Sequence, residues 1–237
     1  MDSARPPEWV MSRPAQLCPA AIRLLEESAE WRLLGLLFEY PGGAWRTNVE
    51  SLAASLRRPE LRGMAEAALQ HASGGLHLAL FGPAGLVPVR EVTHRGGVQF
   101  GYLMAELSAY YQAFGYEPAI EEAADHLAAQ LGFVAFLKFK QACAVMEGDS
   151  AKASLAEEAA REFIREHIAT QAEPVARSLS ESGPGHLAAA ARLILEHAGP
   201  PRRPAYPQGA GLNEDADTEP MCCGTPASGG PLVQLGP

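Results

Sequence analysis

Apolar residues recur every three or four positions along most of the chain, which is the spacing of one face of an α-helix. The first such segment starts at Pro19, and Tyr40 is its last apolar position before Pro41-Gly42-Gly43 ends it. Two shorter segments follow, one ending at Pro59 and the next at Gly74-Gly75. The pattern therefore predicts three successive helices in the first third of the chain.

The middle of the chain combines a region rich in Gly and Pro with the most apolar segment of all. Residues 76–94 contain LFGPAGLVPVRE and are predicted to be a long connecting loop, with a brief extended stretch at 78–81. Helical spacing resumes at 97–114, where Gly115 is well placed to cap the helix end. A long helix is expected from about Ile120 to Met146, and because its middle is apolar nearly all round, it should be buried.

Beyond the central helix the periodicity weakens but stays helical. One helix is expected up to Ile168, Pro174 interrupts the pattern, and His186–His197 supplies a last amphipathic helix. No segment alternates as a strand would, so the predicted fold is all-α, a single-domain helical bundle around two long central helices.

The two ends of the chain differ in composition from the helical region. Residues 1–18 are rich in Pro and Arg, which predicts a flexible N-terminal segment. Residues 200–237 are rich in Pro, Gly, Ser and acidic residues, which predicts a disordered C-terminal tail. The helical domain is therefore expected to span 19–199.

Charge and composition narrow the choice of partners. The 237 residues are 47% apolar and 20% charged, with a net charge of −9, and sixteen arginines but only three lysines carry the positive charge. Because no basic stripe could follow a phosphate backbone, nucleic acid is not an expected partner, and a basic peptide fits the sign better.

The sequence composition also allows predictions about cellular location and cofactors. The N-terminus lacks the apolar core of a secretory signal and no run of about 18 apolar residues occurs, so we expect a cytoplasmic protein without membrane insertion. The four cysteines have no zinc-site spacing, and no cofactor is predicted. Signatures of hydrolases, metalloproteases and phosphate-binding loops are also missing, which argues against an enzyme.

Acidic residues crowd the segment EPAIEEAADHLAAQLGF at 117–133. Within nine positions it holds Glu117, Glu121, Glu122 and Asp125, followed by His126. The ordinary interpretation is a helix start, since the helix dipole favours acids in the first turn, with Glu122 and His126 as a solvated surface pair. The alternative is a docking site for a basic segment. Several tyrosines also lie near one helix end in this region. Aromatic residues are more often part of a core, but tyrosine hydroxyls need water or a hydrogen-bond partner, which suggests that this helix end opens on a groove.

Three ordered motifs make the chain resemble the TorD/DmsD/NarJ family of redox-enzyme maturation chaperones. They are LFGP at 80–83, YQAFG at 111–115, and EAADHL at 122–127 followed by AAQLGFVAFL. The family motif is E-P-x-D-H at the loop and helix start between two long central helices. This chain has Ala123 in place of the proline, so the backbone there is less constrained. It also has Gln130 where an acidic residue is common, which removes one charge from the same helix.

The resemblance implies a cytoplasmic chaperone that is not an enzyme. It would bind the apo catalytic subunit of a DMSO-reductase-type molybdoenzyme, often by its twin-arginine leader, until the molybdenum cofactor is inserted, acting as a monomer or homodimer. The residues implied in peptide or client binding are Tyr111, Gly115, Glu122, Asp125 and His126. Those implied in lining the groove are Phe81, Tyr110, Phe114 and Glu121.

Two other classes of function remain open from the sequence. A structural adaptor subunit of a respiratory complex would also be helical, but it would stay in the mature complex. A helical protein with weak nucleotide binding would need a phosphate cradle, and the glycines of this chain lack the strand-to-helix setting of one.

Overall fold

The computed structural model describes residues 17–96 and 100–200, and the regular secondary structure of these residues is helical. Within these residues the only β-type pairing is an isolated antiparallel bridge between Arg90 and His126. The helices are α1 (Pro19–Leu37), α2 (Trp45–Ser55), α3 (Pro59–His71), α4 (Gly74–Phe81), α5 (Phe100–Phe114), α6 (Leu127–Glu147), α7 (Ser150–Phe163), α8 (Ala169–Ser182) and α9 (Gly185–Ala198). The predicted all-α fold is confirmed.

The centre of the domain is the pair formed by α1 and α6, which are 19 and 21 residues long. Gly35 lets the two backbones approach, because a Cβ at this position would lie 3.3 Å from the Ala128 carbonyl oxygen. The Ser28 hydroxyl donates to the Ala135 carbonyl at 2.8 Å across the same interface. The first nine residues of α6 are all buried, as its apolar sequence predicts. Two long helices thus lie at the centre as expected, but that α1 is one of them was not predicted.

The predicted loop at 76–94 is wrong in its first part, because residues 74–81 form α4. Ser73 caps this helix by accepting from the Leu76 N–H at 3.2 Å, so Gly74-Gly75 begins a helix rather than only ending one. The brief extended stretch expected at 78–81 is helical as well. From Gly82 to residue 96 the chain is irregular except for a 3₁₀ turn at Glu91–Thr93.

The start of α6 lies later than the apolar period indicates. The helix was expected from about Ile120, but it begins at Leu127 with His126 as its N-cap. The residues from Gly115 to His126 form an irregular connection, named here the acidic loop. Its carboxylates therefore do not lie in the first turn of a helix, and the helix-dipole explanation for them is wrong.

Three smaller boundary predictions also change. The described part of α5 begins at Phe100, since 97–99 lie outside the described residues, and α1 ends at Leu37 rather than near Tyr40. Pro174 does not interrupt the helical structure, because it lies inside α8. Ala172 and Val175, on either side of it, are buried. Burial of that face offsets the backbone hydrogen bond that a proline removes. A π turn at Ile164–Ile168 joins α7 to α8.

The predicted terminal segments 1–18 and 200–237 lie almost wholly outside the described residues, so both domain boundaries stay predictions. Among the described helices, none combines the length and the apolar character needed to cross a bilayer.

Candidate functional site

The acidic loop leaves α5 through a tight cap at Gly115. Gly115 has a φ of +67°, its N–H donates to the Gln112 carbonyl at 3.1 Å, and the Tyr116 N–H donates to the Tyr111 carbonyl at 2.8 Å. These are the two bonds of a Schellman motif, which places glycine at the position with positive φ. The cap predicted at Gly115 is confirmed, and it sets the direction in which the loop begins.

At its other end the loop is bonded to the segment that precedes the 3₁₀ turn. The Glu91 N–H donates to the Asp125 carbonyl at 2.9 Å, and the Leu127 N–H donates to the Val89 carbonyl at 2.8 Å. The Asp125 carboxylate is fully buried, accepts from Arg90 Nε at 2.6 Å and lies 2.5 Å from Arg90 Nη2. A carboxylate taken out of water needs such a partner. Asp125 is thus engaged within the protein.

His126 faces inward and caps α6. Its Nδ1 accepts from the Ala128 N–H at 3.1 Å, and the residue is only 3% exposed. Burial, helped by the nearby His77 and Arg90, lowers the pKa of His126 to about 3, so the ring is neutral near pH 7. The expected solvated pair of Glu122 with His126 is therefore wrong, because the imidazole is used as a helix cap.

Tyr111 holds the middle of the loop from the side of α5. Its hydroxyl donates to the Ala124 carbonyl at 2.8 Å, and its ring packs on Phe133 and Tyr116 with centroids 4.9 Å and 5.2 Å apart. Burial raises the pKa of this phenol, and Tyr116, Glu91 and Asp125 add to the effect. Tyr111, Asp125 and His126 are brought together by the fold, but as buried residues that fix the loop.

The other acids of the loop remain at the surface. Glu117 and Glu121 are exposed and Glu122 is partly exposed, and none of the three makes an ion pair with any described residue. The loop therefore presents three carboxylates that no cation of the described chain neutralises.

Beside these acids lies a cavity of about 260 Å³ between α1, α6 and the start of the loop, named here the α1–α6 groove. Apolar side chains form much of its lining, and Phe139 at one edge is 48% exposed. Charged groups reach it from Glu117 and from the ion pair between Arg32 and Glu39. An unpaired carboxylate thus stands next to an apolar surface.

The aromatic residues predicted to line the groove do not share one groove. Phe81 lines a small pocket beside His77, and Phe114 lines a separate cavity of about 510 Å³ between α5, α6 and α7. Tyr110 is partly buried and packs against Phe163, with ring centroids 5.3 Å apart. Glu121 is exposed on the loop. The contribution of α1 to the groove was missed, because nothing in the sequence shows that α1 and α6 pair.

A buried polar cluster, which sequence reasoning also missed, supports this region and is named here the Glu91 network. The fully buried Glu91 carboxylate meets Arg95 Nε at 2.5 Å, His167 Nδ1 at 3.1 Å and the Gln130 amide. Gln171 Nε2 then donates to Gln130 Oε1 at 2.6 Å. The one signal of this network in the sequence was Gln130, a polar residue in the otherwise apolar start of α6. The network fastens the segment that carries Arg90 to α6 and to the π turn.

Fold and site together define an all-helical protein whose distinctive surface is an acidic loop beside an apolar groove. The family described as nitrate reductase delta subunit matches residues 44–176, more than half of the chain and including the whole acidic loop, so the chain belongs to that family. A comparison with curated proteins finds no match. The family consists of molybdoenzyme maturation chaperones rather than catalysts, and it works with the catalytic subunit of a molybdoenzyme. The predicted general role is confirmed.

Proposed function

We propose that this chaperone acts in the cytoplasm on the apo catalytic subunit of a DMSO-reductase-type molybdoenzyme. It binds a basic and then apolar segment of that subunit, its twin-arginine leader, and holds the subunit until the molybdenum cofactor is inserted. The observation that carries this proposal is a loop with three unpaired carboxylates, one of which, Glu117, lines the apolar α1–α6 groove.

The loop acids supply the contacts for the basic part of the client segment. Glu117, Glu121 and Glu122 are accessible and have no internal partner, so an incoming guanidinium need not displace one. Arginine presents a planar fork of donors that matches a carboxylate, which lysine does not. The same acids attract a basic segment before contact, an effect that salt screens within about 10 Å at 0.1 M.

The α1–α6 groove receives the apolar part of the segment. Ile120, Phe136 and Phe139 line it, and Phe139 exposes about half of its surface to water. Covering such side chains is favourable in proportion to the apolar area removed from water. Because Glu117 also lines this groove, the acidic and apolar contacts can be made by one continuous segment.

The remaining predicted binding residues act on the loop rather than on the client. Gly115 sets where the loop starts, Tyr111 bonds its middle, and Asp125 and His126 bond its end. In this proposal they are positioning residues that hold the carboxylates in one arrangement, so that little ordering free energy is lost when the client binds.

The direct test measures the affinity of a fluorescent twin-arginine leader peptide for the full chain. The variant Glu117→Gln/Glu121→Gln/Glu122→Gln is expected to bind about tenfold more weakly, because three half-exposed ion pairs at about 0.5 kcal/mol each sum to about one decade. A peptide with both arginines replaced by lysine should also bind more weakly. The matched control is Glu66→Gln/Glu181→Gln/Glu196→Gln, three exposed acids without an ion pair on α3, α8 and α9.

A second test follows the client in cells. Without the chaperone, the catalytic subunit should be made but contain little molybdenum, and the wild-type chain should restore the metal. Normal molybdenum content in its absence contradicts the proposal. If the chain instead co-purifies with the mature, cofactor-loaded enzyme, the adaptor hypothesis replaces it.

A further inference from the structure

A buried imidazole nitrogen without a partner lies at the π turn, away from the acidic loop. His167 is fully buried, and its Nδ1 is 3.1 Å from both oxygens of the Glu91 carboxylate. Its other ring nitrogen, Nε2, is buried and has no hydrogen-bond partner among the described residues. Buried polar atoms without a partner are uncommon and point to a water or an ion at the site.

Two carboxylates stand beside this histidine. One oxygen each from Glu106 of α5 and Glu166 of the π turn, with one ring nitrogen of His167, lie within 4.8 Å of one another. Glu106 Oε2 is also buried without a hydrogen bond, since the nearest cationic atom, Arg95 Nη1, is 3.8 Å away. Two members of this three-residue group, His167 and Glu106, thus each have a buried atom without a hydrogen bond.

The surroundings of His167 favour the form of the ring that binds metal ions. A carboxylate that accepts from Nδ1–H leaves the Nε2 lone pair available, and this pairing recurs behind metal-bound histidines. Glu91 is placed to do this. Arg95 also approaches Nδ1, at 3.2 Å, while its Nε forms an ion pair with Glu91 at 2.5 Å and its Nη2 donates to the Glu166 carbonyl at 2.8 Å.

The charge of the region leaves room for a cation. Glu91 and Glu106 bring two negative charges and Arg95 brings one positive charge, so these three side chains carry a net negative charge. Arg165 is shared at 3.5 Å between Glu166 and Glu162, which adds its own negative charge. An excess of negative charge inside a protein is costly unless a cation compensates it.

We propose that Glu106, Glu166 and His167 bind a first-row divalent cation such as Mn²⁺. An imidazole together with carboxylates suits such ions better than Mg²⁺ or Ca²⁺, which prefer oxygen ligands alone. Bonds of about 2.0–2.2 Å need ligand atoms about 1 Å closer together than they stand, and the partly exposed Glu106 and Glu166 side chains have room for that movement. The ion would join α5 to the π turn, and this site is independent of leader binding.

The test titrates the full chain with Mn²⁺ and measures the free ion by electron paramagnetic resonance. Mn²⁺ is chosen because it prefers oxygen and nitrogen ligands, so the cysteines contribute little. The wild-type chain should take up one equivalent. Glu106→Gln and, separately, Glu166→Gln should each weaken binding by at least about tenfold. The control Glu162→Gln removes a neighbouring charge outside the ligand group and should change affinity by less than about threefold.

A thermal melt gives an independent readout of the same site. Mn²⁺ should raise the unfolding midpoint of the wild-type chain but not that of a folded Glu106→Gln or Glu166→Gln chain, because an ion that binds only the folded state stabilises it. No uptake by the wild-type chain at millimolar Mn²⁺ overturns the proposal and leaves an ordered water as the partner of His167. Equal uptake by wild type and by either glutamine variant also overturns it.

Discussion

The two halves of the acidic loop have the same kinds of residues and opposite surroundings. Glu117, Glu121 and Glu122 are accessible and unpaired, whereas Asp125 and His126 are buried and bonded. The difference comes from Arg90, which lies 35 positions before Asp125 in the sequence. It neutralises the Asp125 carboxylate and none of the other three. A charged residue in such a loop is thus available for a client only if the fold has not already paired it.

This difference implies that charged residues within ten positions of one another have different roles, some in stability and some in binding. A buried carboxylate with two guanidinium contacts stabilises the loop only as long as the pair is intact. An exposed carboxylate contributes little to folding and keeps its electrostatic attraction for a client. Substitutions should therefore separate stability from binding along the loop, and the four predictions below run from the largest expected effect to the smallest.

Arg90→Ala should destabilise the protein most, by about 3 kcal/mol, because it leaves the Asp125 carboxylate buried without its cation. Urea unfolding followed by circular dichroism measures the change. The matched control is Arg57→Ala, which breaks an ion pair between the largely exposed Arg57 and the partly exposed Glu26, and which should cost less than about 1 kcal/mol. Equal losses of stability in the two variants would contradict the expectation that the ion pair of the buried Asp125 contributes more than a surface ion pair.

The inward position of His126 predicts a specific loss of stability in acid. Its pKa is about 3 in the folded protein and near 6.5 when unfolded, so the unfolded chain binds the extra proton between these values. Stability should therefore fall by about 1.4 kcal/mol per pH unit as pH drops from about 6 towards 3. His126→Asn keeps a capping side chain that does not titrate, and it should remove this part of the pH dependence. Parallel pH profiles for the two proteins would contradict the inward-facing cap.

Gly115→Ala tests the cap at which the exposed half of the loop begins. The substitution has room, since nothing lies within 4 Å of an added Cβ, but the φ of +67° should cost about 1 kcal/mol. Gly63→Ala is the control: it lies in the middle of α3, also with open space, and there alanine should stabilise by up to about 1 kcal/mol. Thermal melts should thus shift in opposite directions, and shifts of the same sign would count against the strained cap.

Glu121→Gln/Glu122→Gln should have the smallest effect on folding, within about 0.5 kcal/mol of wild type in the same urea assay. Binding of the leader peptide should nevertheless weaken and lose part of its dependence on salt. A clear change in stability would show that these carboxylates have a structural role like that of Asp125, and the contrast between the two halves of the loop would disappear.

Much of the fold follows from local pattern, because helical spacing and capping act within a few residues. The cap at Gly115, the buried character of α6 and the all-α class were predicted in this way. The prediction for Gly74-Gly75 failed because glycine is read as a breaker, while Ser73 directly before it supplies the N-cap that starts α4. Local rules conflict there, and packing decides between them.

The site was predicted less well, because its contacts join distant residues. Asp125 pairs with Arg90, Gln130 with Glu91 at a separation of 39 positions, and α1 with α6 across more than 100. No spacing rule links such positions. The acidic segment could be recognised from its composition, but which of its carboxylates the fold leaves unpaired could not be predicted.

The α1–α6 pair also sets an order of events during synthesis. The buried face of α1 includes Leu33, Leu34 and Leu36, and its partner surface on α6 is made only about 100 residues later, as the 107-position separation of Ser28 and Ala135 shows. At about 5–20 residues per second, α1 waits for about 5–20 s with its apolar side uncovered. A chaperone that shields unfinished enzymes is thus itself, for those seconds on the ribosome, a chain with an exposed apolar helix.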